Sequence, residues 1–167
     1  MIMDRLRYLF SALSKGAASL LVVWFALSMA LSSCTLESSG NGDLDGYWHL
    51  VSIDTLVTGR TGDYSERRFF WGIEHRLISV SDIDREGRLG YYFRFEQTGD
   101  SLFLGAAYKN NWHQDKGEDG GDVPVDDVEP LRYYGINEMN EHFAKEALDG
   151  SKMILKSKTL RLNFRKF

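Results

Sequence analysis

From Leu44 to Phe167 the apolar residues come in short runs, most of them with a period of two, separated by clusters of Gly, Asp, Asn, Ser and Thr. That period puts alternate side chains on opposite faces of an extended chain, so each run needs strand partners for its backbone and a core for one face. In Gly46–Ile53, Trp48 and Leu50 share a face before the phase slips, which predicts a bulge or bend. Thr58–Asp63 is turn chemistry. Phe69–Val80 (FFWGIEHRLISV) reads as a strand with Gly72 at a kink or close approach. Tyr91–Phe95 and Leu102–Tyr108 flank Gln97–Ser101, a hairpin signal.

Further on, Arg132–Ile136 reads as a strand. Met139, Phe143 and Ala147, spaced by four, predict a short helix over Glu138–Leu148, ended by Asp149-Gly150. Lys152–Lys156 and Thr159–Phe164 alternate, with Leu160, Leu162 and Phe164 pointing one way. About seven or eight short strands joined mostly by tight turns predict a mainly β, antiparallel meander, and curling into a barrel is its edge-free ending.

The aromatic content agrees, with 10 Phe, 8 Tyr and 4 Trp beside 2 Pro. Neighbouring aromatics such as Phe70 and Trp71, or Tyr91 and Tyr92, must face opposite sides. One set fills or lines the interior; the other is exposed or covered by loops. The single cysteine excludes an intrachain disulfide and a cysteine-based zinc cluster. A formal charge of −4 and a pI near 5.6 argue against general nucleic-acid binding.

The N-terminus has a different character. Arg5, Arg7 and Lys15, against Asp4, precede an uncharged, mostly apolar run over Ala17–Leu31, and Leu31-Ser32-Ser33-Cys34 follows. The run is short for spanning about 30 Å of hydrocarbon, and the basic start has the sign of a cytoplasmic flank. Leu31-Ser32-Ser33-Cys34 resembles the lipobox of bacterial lipoproteins. The resemblance implies a signal peptide over 1–33, cleavage before Cys34, and a Cys34 carrying diacylglycerol and an acylated (palmitate-type) amino terminus. Two or three acyl chains hold a protein stably on a membrane where one does not. Thr35 in place of an aspartate points to the outer membrane. Residues 34–43 then read as a flexible tether and 44–167 as the domain.

A second resemblance rests on Gly46-Tyr47-Trp48 in the first strand and the Arg-bearing alternation of Leu160–Phe167. Together these resemble lipocalins (calycins), and in particular the small lipocalin-like lipoproteins of Bacteroidetes. The resemblance implies a barrel of about eight strands in which Arg161 or Arg165 lies over Trp48, a cation–π contact of about 0.5–2 kcal/mol. It also implies non-covalent capture of a small apolar molecule at the barrel mouth, with Trp71, Tyr92, Phe93 and Tyr108 as lining residues, or of an envelope protein on the loop rim. Whether the inward aromatics pack solid or enclose a cavity stays open.

The leader carries a net +2, so the whole-chain −4 leaves −6 for residues 34–167, all of it equal to the charge of the loop 115–129. Asp115, Asp119 and Asp126 are a weak calcium candidate, because Gly117 stands where an acid belongs and Asp126 replaces the bidentate glutamate. The simpler reading is a solvated insertion. None of His49, His75, His113 and His142 has zinc-helix spacing, and no nucleophile elbow, P-loop or dinucleotide fingerprint is present. The expectation is a binding module without cofactor or catalytic residues. A periplasmic or surface hydrolase and an accessory subunit of an envelope complex are the alternatives.

Overall fold

The computed structural model describes residues 39–85, 90–111 and 121–167. Ten strands form one antiparallel sheet: β1 (Gly46–Thr55), β2 (Arg60–Asp63), β3 (Phe69–Glu74), β4 (Leu77–Asp82), β5 (Tyr91–Gln97), β6 (Ser101–Lys109), β7 (Val123–Pro124), β8 (His142–Leu148), β9 (Lys152–Lys156) and β10 (Leu160–Lys166). Eight of them, β1-β3-β4-β5-β6-β8-β9-β10, run in ring order, and β10 pairs back onto β1 from Trp48↔Lys166 to Thr55↔Leu160. The expected meander therefore closes into an eight-stranded barrel. The short β2 and β7 add to β1 and β6 outside the ring.

The phase slip in β1 is a bulge against β10 between Leu50 and Ser52. It lets Trp48 and Leu50 face inward while the strand's second half serves both β10 and β2. Phe69–Val80 is two strands, not one: the chain turns at His75-Arg76, with His75 in the left-handed region at φ 53°. Gly72 is the site of a close approach, since a Cβ there would lie 2.7 Å from the Ser79 hydroxyl.

Two expectations exchange places. Arg132–Ile136 is no strand; α1 (Glu129–Arg132), opened by Pro130, runs into a turn over Tyr133–Gly135. Glu138–Leu148 is no helix; its second half is β8, paired with β6 and β9. Positions four apart share a face in a regular strand as well as in a helix, so the spacing does not separate the two and strand pairing decides; a bulge between Lys145 and Ala147 then turns Leu148, and not Ala147, to the core. A short helix does occur in this part of the chain, at 129–132. Among the described residues no helix is long and apolar enough to cross a membrane.

The core is the barrel interior. Trp48, Leu50, Phe69, Trp71, Ile78, Phe93, Leu102, Phe143, Met153, Leu155 and Leu162 have no exposed surface. The closed end carries the 3-10 turn Gly42–Leu44, which drops Leu44 into the core and whose Leu44 carbonyl accepts the Trp48 indole N–H at 2.8 Å. The other end, the mouth, is crossed by residues 125–139, which contribute buried Leu131, Tyr134 and Ile136.

Candidate functional site

Inward positions along β3 descend through the barrel as Phe69, Trp71 and Ile73. Phe69, at the mouth, meets Tyr133 and Tyr134 of the cover with ring centroids 6.0 and 5.4 Å apart. One step below, Trp71 packs on Phe164 and Phe143 at 5.2 and 6.0 Å. Its indole nitrogen is buried and has no hydrogen-bond acceptor among the described residues. An orphaned donor in a core costs about 1–3 kcal/mol, and buried Trp N–H groups ordinarily find a partner. The interior is otherwise apolar, with Phe93, Leu102 and Leu104 around it.

Val125, where the cover begins, donates its N–H to the Ala107 carbonyl at 2.9 Å, and beyond it the cover is held to the barrel by side chains. Asp82, at the end of β4, is buried; its carboxylate accepts from the Tyr133 hydroxyl and from Arg67, which also donates to the Tyr133 oxygen. Arg85 lies over the Tyr133 ring at 4.2 Å, and Arg67 lies 5.8 Å from the Tyr64 ring. Burial, with the Asp82 carboxylate adding to it, pushes the Tyr133 phenol above the usual tyrosine range; burial does the same for Tyr134. Within the cover, hydrogen bonds are local: the Tyr134 and Ile136 amides donate to Leu131. Gly135, at φ 79°, lies so close to Leu162 that a Cβ would sit 2.9 Å from it.

The four residues expected to line one pocket are divided between two faces. Trp71 and Phe93 point into the packed interior. Tyr92 and Tyr108 face each other on the outer wall, at paired positions of β5 and β6. Burial, and then the nearby Asp122, raises the Tyr92 phenol. The cation over Trp48 is Lys166, its Nζ 4.9 Å from the ring, rather than Arg161 or Arg165. The register explains the exchange: Lys166 is paired with Trp48 across β1 and β10, whereas Arg161 is paired with Asp54, far along the strand. Arg161 instead grips Glu146 on the outer wall at 2.6 and 3.2 Å and holds that carboxyl below its usual range. Arg165 is exposed.

The Phe70–Trp71 alternation resolves with both side chains covered. Trp71 is inside, and Phe70 is outside, stacked on Tyr47 at 4.8 Å and edged by Phe167 at 5.3 Å. A wall groove of about 450 Å³ crosses β5 and β6, with Arg76, Arg94, Glu96, Phe103, Asn140 and Glu141 on its sides. It follows the bulge at Ala106, φ 41°, where β6 parts from β8. Glu141 is buried with one oxygen accepting the Asn137 and Glu138 N–H groups at 2.6 and 3.0 Å, and burial raises its carboxyl above the usual range.

Among the described residues the histidines do not converge. His49 is buried with Nε2 2.6 Å from the Arg67 carbonyl, and His75 is in the β3–β4 turn. His142 stacks on Phe103 and lies 3.2 Å from the Ser101 hydroxyl, which donates to Asp100. That puts serine between histidine and carboxylate, whereas a hydrolytic triad needs histidine in the middle. Among the described residues no three His, Cys, Asp or Glu side chains could hold a metal ion together. Asp126 is exposed; Asp115, Asp119, His113, Cys34 and the 1–33 leader lie outside the described residues. The residues that sequence reasoning passed over are Arg67, Asp82, Leu131 and Ile136; the Glu129-Pro130 helix start and Gly135 were the available signals for the cover.

Comparison with known proteins agrees with this architecture. A lipocalin-like domain family matches residues 29–167. A lipocalin-like protein from Bacteroides uniformis superposes with a TM-score of 0.55 at 20% identity, covering 75% of this chain and 100% of that one. An uncharacterized protein from Bacteroides eggerthii gives 0.54 at 18% identity, with 74% and 98% covered. At such identities these structures speak for the fold. No curated protein matches the sequence.

Proposed function

We propose that this chain, which belongs to the lipocalin-like domain family, is a lipid-anchored binding module of the cell envelope and no enzyme. It takes a small, largely apolar molecule carrying one hydrogen-bond acceptor at the mouth of its barrel. The observation that carries this reading is the orphaned Trp71 N–H in an aromatic interior. A ligand oxygen reaching Trp71 would satisfy that donor while its apolar body packs on Phe69 and Phe93. Leu131, Tyr134 and Ile136 occupy the place such a body would take. They are tied down by the Asp82–Tyr133–Arg67 contacts and not by strand pairing, so they can withdraw without breaking the ring.

Cys34 is the proposed lipid attachment point, with the outer membrane as destination. Metabolic labelling with a radioactive fatty acid tests it: the wild type incorporates label and Cys34→Ala does not. For the ligand, native mass spectrometry of the full-length protein extracted from its own membrane is the test. A co-purifying small molecule retained by the wild type and lost from Trp71→Phe supports the reading. Equal retention by both variants, or no bound molecule in either, contradicts it.

A second reading has its own observation. Phe103 is 43% exposed on the wall groove, beside Arg76 and Arg94, which have no ion-pair partner among the described residues. This favours an envelope protein partner docking on the wall. A stable second chain in the same spectra, lost from Phe103→Ser, would select it.

A further inference from the structure

The closed end of the barrel carries a patch that the mouth reading does not use. Phe167 is 83% exposed, yet it is held in place: its N–H donates to the Tyr47 carbonyl at 2.8 Å, and its ring edges onto Phe70 and Tyr47 at 5.3 and 6.2 Å. Tyr47 is itself 39% exposed. Tyr47 and Phe167 thus form the exposed part of an aromatic cluster where β1 begins and β10 ends, with Phe70 buried beneath them. By strand alternation Arg165 shares the outer face with Phe167, and it is paired with exposed Lys152 of β9. Of the acids at this end, Asp149 is occupied by the Ser151 and Lys152 backbone N–H groups and Asp45 by Ser39 and Asn41, while Asp43 and Glu74 are exposed. Aromatic rings flanked by cations are the composition that suits a membrane–water interface.

The chain leading to this end is already tied to it. The Asn41 amide donates to the His75 carbonyl and to Asp45 at 2.7 Å each, Gln97 donates to the Asn41 carbonyl at 3.3 Å, and the Ser39 hydroxyl donates to Asp45. The tether expected over 34–43 is therefore tied to the barrel from Ser39 onward. Ser39 lies five positions after Cys34, a reach of at most about 18 Å fully extended.

We infer that the closed end rests on the lipid bilayer through Tyr47 and Phe167, backed by the buried Phe70, with Arg165 and Lys152 toward the headgroups, so that the mouth faces away from the membrane. The inference rests on the proposed Cys34 anchor. It gives the anchor a second task, which is to fix the direction in which the barrel opens. A ligand would then enter from the aqueous side and not from the bilayer.

The test uses the full acylated chain, reconstituted in vesicles of phosphatidylethanolamine and phosphatidylglycerol containing a headgroup spin-labelled lipid. One fluorophore is placed on Gly150→Cys, where a Cβ meets open space beside the patch, and another on Val57→Cys, 82% exposed in the β1–β2 turn at the mouth. Quenching at position 150 should exceed that at 57 at least several-fold, and Tyr47→Ser with Phe167→Ser should abolish most of the difference. Equal quenching at both positions, or a difference that survives the double substitution, overturns the inference. Intact mass is read on the same samples. A Cys34 without acyl mass overturns the anchor, and the orientation with it; an acylated Cys34 with equal quenching overturns the orientation alone.

Discussion

The two ends of this barrel are closed by different physics. At the closed end a backbone carbonyl of the 3-10 turn takes the Trp48 N–H, Leu44 and Trp48 are fully buried, and β1, β3 and β10 pair around them. At the mouth, no strand pairing secures Leu131–Ile136; one buried carboxylate, a phenol and a guanidinium do. A plug made of side-chain contacts can open at a cost well below global unfolding, whereas the closed end opens only with the barrel.

That contrast can be broken at either end. The largest effect is expected at the closed end: Trp48→Ala should cost about 3–5 kcal/mol of global stability, read as a lowered urea midpoint for the whole β signal. A loss confined to a local probe would place Trp48 outside the cooperative core. Asp82→Ala comes next. It should cost about 1–3 kcal/mol by removing the acceptor of Tyr133, Arg67 and the Asp84 N–H, and the loss should appear as accelerated exchange of the 129–136 amides while β-sheet circular dichroism is kept. Collapse of the sheet signal would make Asp82 part of the frame and not of the plug.

Tyr133→Phe removes only the hydroxyl and should weaken the same closure by about 1 kcal/mol, with no change in the exchange of β1 amides. The smallest effect is alkaline. The folded state raises both phenols, Tyr133 and Tyr134, so it favours their neutral forms. Their contribution is complete below the ordinary tyrosine value, about pH 10, and is lost as pH rises through the raised folded values. Ionised Tyr133 also loses the proton it donates to Asp82. Proteolysis within 125–139 should therefore accelerate at alkaline pH, and Tyr133→Phe should flatten that response; an unchanged profile would remove the phenol from the closure.

Much of the frame was legible in the residues. Alternation placed Trp48, Leu162 and Phe164 inside, located the β1 bulge and found the β5–β6 hairpin. The His75-Arg76 turn was hidden because no glycine, asparagine or proline marks it; a non-glycine residue at positive φ carries no compositional signal. His142–Leu148 (HFAKEAL) is made of helix-forming residues, and its strand state comes from pairing with β6 and β9, together with Glu146 bridging to Arg161 and Lys156. The site was less legible. Trp71 and Phe93 were recognisable as aromatics of the interior, but the Asp82–Tyr133–Arg67 contacts join residues 51 and 66 positions apart, which no local pattern announces. The choice of Lys166 over Arg161 or Arg165 depends on register, which a single bulge shifts.

The most direct test of a releasable mouth over a fixed base is hydrogen exchange on the full-length protein. Amides of Tyr134 and Ile136 should exchange at least about 100-fold faster than those of Trp48–Leu50, a gap of about 2.7 kcal/mol in opening free energy. Protection of the two sets to the same extent would mean that the cover and the barrel unfold as one unit, and the mouth would not be the way in.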